Sequence, residues 1–211
     1  MSITRTRIIV ALAAAAVLTA AGCSDDSSTT SGETTSASAT TSAASGTATR
    51  TDFNDADVTF LEMMYPHHAQ AVDMAQMVPS RTQNPQLLAL ATAIEAAQAP
   101  EMQQITTLLQ SFGKPVPGAD EHGGHDMHGE HGMQMPGMMT PEQMTALENA
   151  TGPEFDRQWI QMMIEHHTGA IDMANTELAD GVNPDAKALA TSIVAAQQAE
   201  IDQMRQMLGQ N

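Results

Sequence analysis

Two histidine pairs, His67-His68 and His166-His167, are the residues of this 211-residue chain whose type and spacing most directly imply chemistry. Methionines surround both: Met63, Met64 and Met74 the first, Met162, Met163 and Met173 the second. Neutral imidazole nitrogen and thioether sulfur can share one ion, and thioethers favour Cu(I). Met63 and His67 are four residues apart, as are Met162 and His166, so on a helix each pair can converge. Oxygen-loving Ca or Mg finds little here. A further imidazole set, His122, His125, His128 and His131, recurs every third residue among Met127, Met133, Met135, Met138 and Met139. Such a tract reads compositionally as metal-binding, open to zinc or nickel as well as copper, and its spacing fixes no geometry. The plain alternative for the pairs is a structural network in a methionine-filled core.

A helical wheel at about 100° per residue decides which of these side chains face inward. Met63, His67 and Met74 fall together on a stripe with Phe60, Met64 and Ala71. His68 lies at its edge, and Glu62 and Asp73 lie on the solvent side. Met162, His166 and Met173 repeat the pattern, with Met163 and His167 at the edge. In the following helical segments Gln98 and Gln197 lie mid-stripe, with Glu101 and Glu200 at the border. An unpartnered buried polar group costs roughly 1–3 kcal/mol. Inward His, Gln and Glu should therefore satisfy one another, the Gln and Glu orienting the imidazoles from behind.

These stripes belong to an internal repeat. The stretch from Phe60 to Ala75 matches that from Trp159 to Ala174 at an offset of 99 residues, the distance from His67 to His166. The match continues without a gap through Asn84-Pro85 and Asn183-Pro184 to Glu101 and Glu200. Each copy reads as two helices, with Asn as N-cap and Pro as first residue of the second. Two amphipathic hairpins bury their stripes best by pairing, so an all-α four-helix bundle over residues 51–211 is expected. Gly113 to Met139 is a low-complexity insert without apolar period, expected to be mobile without metal. A short extra helix is expected from Thr140-Pro141-Glu142 to before Gly152-Pro153.

What precedes the repeat cannot join a core. Arg5 and Arg7 lead into an apolar run from Ile8 to Ala21, too short for a stable membrane span and read as a signal peptide over residues 1–22. Cys23, the only cysteine, follows small residues as in a lipobox, so lipidation at Cys23 and anchoring outside the cytoplasm are expected. With that thiol consumed, a soft-metal site must use thioethers and imidazoles. Ser24 to Arg50 is a Ser/Thr/Ala/Gly tether. A formal charge of −17 argues against nucleic acid and leaves the lipid anchor as the membrane contact.

The His-His pair followed by Ala and Met-Ala (His67, His68, Ala71, Met74, Ala75; His166, His167, Ala170, Met173, Ala174) resembles the bacterial family called domain of unknown function 305. The resemblance runs from Asp57 to Leu208. It implies a ferritin-like four-helix bundle, with members that bind copper and take part in copper tolerance. Pro66, opposite Glu165, departs from a helix-friendly pattern. The expected function is capture of copper, as Cu(I), or silver by a non-enzymatic protein that buffers the ion or passes it to an export or resistance partner. The alternatives are a ferritin-like di-iron oxidase and a metal-free interaction bundle. Met64 and Met163 stand where a di-iron Glu-x-x-His motif would carry carboxylates.

Overall fold

Every long helix starts where the sequence supplies a stop for its free N–H groups or a preset first residue. The computed structural model describes residues 49–117 and 135–209. The signal peptide, Cys23, nearly all of the tether, and His122, His125, His128, His131, Met127 and Met133 lie outside the described residues. The described residues form five helices and no strand, so the chain is all-α. Helix α1 (Asp55–Arg81) opens with a capping box in which Asn54 accepts from Ala56 and Asp57, and Asp57 accepts from Asn54 in return. Asn84 and Asn183 cap α2 (Pro85–Ser111) and α5 (Pro184–Met207), each with proline as first helical residue. Thr140 caps the short α3 (Pro141–Asn149). Helix α4 (Gly152–Asp180) starts without a side-chain cap but with Pro153 in its first turn. Pro66 does not break α1, which continues through it and through Pro79.

Packing follows the repeat. Helix α1 packs on α2 and α4 packs on α5, the two hairpins meet mainly along α1 and α4, and α3 rests on α4. Their buried residues form two apolar clusters. One joins Ala71 to Val78 of α1 and Leu87 to Ile94 of α2 with Phe155 to Met163 of α4 and Ile201 and Met204 of α5. The other joins Val58 to Met64 of α1 and Ile105 to Leu109 of α2 with Ala170 to Ala174 of α4 and Leu189 to Ile193 of α5. The first half of each α1-type helix thus meets the second half of its counterpart, so α1 and α4 run antiparallel about a pseudo-twofold axis. Between the clusters lies a polar layer of fully buried His67, His68, His166 and His167, with Gln98 and Gln197 2–3% exposed.

The end of the insert is not free. Residues 136–139 return to the α1–α4 seam, where Gln70 clasps Met139 by both its backbone groups and Met139 is buried in the first cluster. That part of the insert, expected to be without fixed contacts, is thus hydrogen-bonded and packed on the helices. At the other end Arg50 is held to the Ser111 carbonyl, Asp52 and Asp185. Among the described residues no helix is long and apolar enough to cross a membrane.

Candidate metal centre

Helix α1 carries two neighbours, so its buried arc is wider than a single stripe. His67 faces α4 and His68 faces α2. This is why His68, at the edge on the wheel, is wholly buried, and why Met64 is 0% exposed whereas Met63 is only partly covered. The second copy does the same: His166 faces α1 and His167 faces α5.

The two inner imidazoles meet across the axis, with ring centroids 3.8 Å apart and planes tilted by 38°. The outer two are each held by a glutamate one helix away. His68 Nε2 lies 2.8 Å from Glu101 Oε2, and His167 Nε2 lies 2.6 Å from Glu200 Oε2. A carboxylate only accepts, so both rings donate from Nε2, and their Nδ1 atoms are buried without partners. His67 Nε2 donates to the Pro136 carbonyl at 3.0 Å, which fixes the same tautomer there. Its Nδ1 and both nitrogens of His166 have no hydrogen-bond partner.

Both inner rings are neutral. Burial, then the nearby His68, lowers the His67 imidazole to about 3, against a smaller opposing pull from its bond to Pro136. Burial, then His67, His167 and His68, holds His166 well below the ordinary histidine value; the nearby His67 backbone raises it slightly without making a well-formed hydrogen bond. Neutral, unpartnered, buried imidazole nitrogen is the state in which histidine binds a metal.

The six methionines that surround the histidine pairs in the repeat divide evenly about this layer. Met74, Met162 and Met163 lie in one apolar cluster. Met64 and Met173 lie in the other, with Met63 packed against it. The 99-residue offset converts one triplet into the other. Each triplet draws from both α1 and α4, so methionine side chains lie in the apolar clusters on both sides of the imidazole layer. Among the described residues no group of three or more His, Cys, Asp and Glu could hold an ion. A metal in this layer would therefore have to add thioether or backbone oxygen to imidazole. The residues fit a soft ion and do not fit a carboxylate-bound one.

The Domain of unknown function (DUF305) family matches residues 57–208. The chain belongs to the DUF305 family. DUF305 proteins of known structure share its fold. A putative secreted DUF305 protein from Streptomyces coelicolor is 31% identical, with TM-score 0.64 over 73% of this chain and 92% of that one. A DUF305 fragment from Deinococcus radiodurans is 30% identical, with TM-score 0.65 over 76% of this chain and all of the fragment. CopM in its Cu(I)-bound form is 34% identical, with TM-score 0.57 over 72% of this chain and 94% of that one, and CopM also has Cu(II)-bound and Ag-bound structures. No curated protein matches the chain in sequence.

Sequence reasoning missed the residues that close the site. Gln70 and Gly169 occupy equivalent positions of the repeat, yet Gln70 holds the 136–139 segment while Gly169 makes room for it. A Cβ at Gly169 would overlap the Pro136 carbonyl. Gly137, at φ +76°, sits where a side chain would meet the Glu165 and His166 carbonyls at 2.7 and 2.9 Å. The Gln-to-Gly mismatch between the two copies, three residues after the inner histidine, was the available signal.

Proposed function

We propose that this protein binds copper, as Cu(I), or silver, in the imidazole layer, and holds or hands on the ion without chemical turnover. The observation that carries this reading is the His67–His166 contact: two neutral imidazoles with unpartnered buried nitrogens, flanked by two equivalent methionine triplets. CopM, whose structures contain copper and silver, supports it by likeness. The four long helices would form a ferritin-like four-helix bundle, with Glu101 and Glu200 orienting His68 and His167 and with Gln98 and Gln197 filling the same layer. The scarcity of inward carboxylates speaks against a di-iron oxidase.

In the same reading the signal peptide exports the chain and lipidated Cys23 anchors it outside the cytoplasm. His122, His125, His128 and His131 form a second cargo site, which zinc or nickel can share. An export or resistance protein receives the ion.

The test is a Cu(I) titration of the mature protein against a coloured chelator. Replacing Met63, His67, Met162 and His166 together by Ala should weaken binding by at least about a hundredfold, because loss of an outer partner alone costs about ten- to a hundredfold. Unchanged affinity would remove the site from the bundle. Iron in the purified protein with oxygen consumption would replace the reading by an oxidase.

A further inference from the structure

The histidine pair is sealed on one side by backbone that belongs to no helix. Pro136 to Met139 reaches both histidine-bearing helices at once. Its first carbonyl accepts from His67 Nε2 at 3.0 Å. Gly137 lies against the Glu165 and His166 carbonyls and the Gly169 Cα. Met139 gives its N–H to Gln70 Oε1 at 2.7 Å and takes a bond from Gln70 Nε2 at 2.9 Å. His67 and His166 are 0% exposed, so solvent does not touch them while this arrangement stands.

We propose that Pro136–Met139 is a strap, latched by Gln70 and seated in the notch left by Gly169, which must lift before a ligand can reach His67 and His166. The surrounding helices are held by long apolar seams. The strap is held by a few neutral hydrogen bonds and one buried methionine. It therefore opens before the helices separate, as weakly packed segments do. In lifting, it withdraws the Pro136 carbonyl from His67 and frees Nε2, so opening changes which imidazole nitrogen is available as well as whether it is exposed. That the strap gates copper in particular rests on the function proposed above; that it gates access does not.

Diethyl pyrocarbonate acylates accessible imidazole nitrogen and can be mapped residue by residue by peptide mass spectrometry, with no metal present. In the metal-free full-length protein, His67 and His166 should react slowly. Gly169→Ala places a methyl group where the Pro136 carbonyl lies, while favouring the helix itself. Gln70→Ala removes the latch. Each should speed modification of His67 and His166 on the order of tenfold, the factor expected from loss of a pair of neutral hydrogen bonds. His68 and His167, held by their glutamates, should change much less. Circular dichroism checks that the helices persist, and should Gly169→Ala lose them, Gln70→Ala decides.

Unchanged rates at His67 and His166 would overturn the strap. Equal acceleration of all four histidines would also overturn it, since the helices themselves would then be parting. Acceleration confined to the inner pair, in a protein that takes up no Cu(I), would keep the strap and sink the copper reading. Tight Cu(I) binding with rates insensitive to both variants would do the reverse.

Discussion

The two copies of the repeat share their frame but differ where they are finished. His68–Glu101 and His167–Glu200 are near replicas, as are the capped starts of α2 and α5. The inner imidazoles are not: His67 is tied to Pro136, and His166 has no hydrogen-bond partner. A second departure lies at the far end of α4, where Glu177 and Gly181 stand opposite Val78 and Thr82 of the first copy. Val78 is an ordinary core residue, whereas Glu177, 1% exposed, faces Asp57. Duplication thus supplies a symmetric polar layer, and single replacements around it make its halves chemically unlike.

The largest expected effect comes from that second departure. Burial, before the influence of the neighbouring Asp57, pushes the Glu177 carboxyl up to about 8, with Lys187 opposing, although neither Glu177 oxygen makes a well-formed hydrogen bond. Burial also pushes Asp57 upward, but bonds from the Asn54, Asn183 and Val182 backbone, together with the nearby Glu177, outweigh it and leave Asp57 lowered. Glu177 is therefore the member of the pair that holds the proton. Its affinity for that proton is higher folded than unfolded, so its stabilising contribution is complete below about 4.5 and is lost as pH rises through about 8. Urea unfolding of the native protein beside Glu177→Val, which installs the first copy's residue, isolates this term from the histidines: the stability of the native protein relative to the variant should fall on the order of 3 kcal/mol between pH 5 and 9. A native-to-variant difference that does not change over this range would contradict the assignment.

The inner histidines provide the next effect, of opposite sign. Their folded values lie below the unfolded one, so the stability they contribute is present above about 6.5 and is lost as pH falls toward about 3. At pH 4.5 the metal-free protein should have lost roughly 2–3 kcal/mol through His67 alone. His67→Gln should remove that share of the acid loss. An NMR titration placing either inner ring near the ordinary histidine value would overturn the neutral, buried pair.

The two copies also show which parts of the structure were legible in advance. The offset of 99 and the Asn-Pro steps predicted four long helices and the starts of α2 and α5, because capping and periodicity are local. His67 and His166 read as inward for the same reason. His68, read at the edge, is wholly buried and Met63, read as central, is only partly covered, because a wheel assumes one buried face and α1 has neighbours on two. The strap was invisible because a Gly- and Met-rich segment has no period, and its seat is formed by residues 66 or more positions away or some 30 positions ahead, at Gln70 and Gly169. Glu177 was passed over because a lone acid in a helix is usually on the surface; only its alignment with Val78 marks it as buried.

The smallest difference tests how deep the likeness goes. Asn84 and Asn183 cap α2 and α5 through equivalent bonds, Asn84 at 3.1 and 3.5 Å and Asn183 at 3.0 Å to both N–H groups. Removing either cap should cost about 1 kcal/mol. Their second contacts differ. Asn84 Nδ2 donates to Asp156 on α4, and Asn183 Nδ2 donates to the Asp52 carbonyl while Asn183 itself is wholly buried. Asn183→Ala leaves a buried N–H pair and a carbonyl uncovered, so it should be the more destabilising by a few tenths to about 1 kcal/mol. Thermal unfolding of the two single variants measures the gap directly. Equal losses would mean that the helix starts, unlike the polar layer and the strap, kept the full symmetry of the duplication.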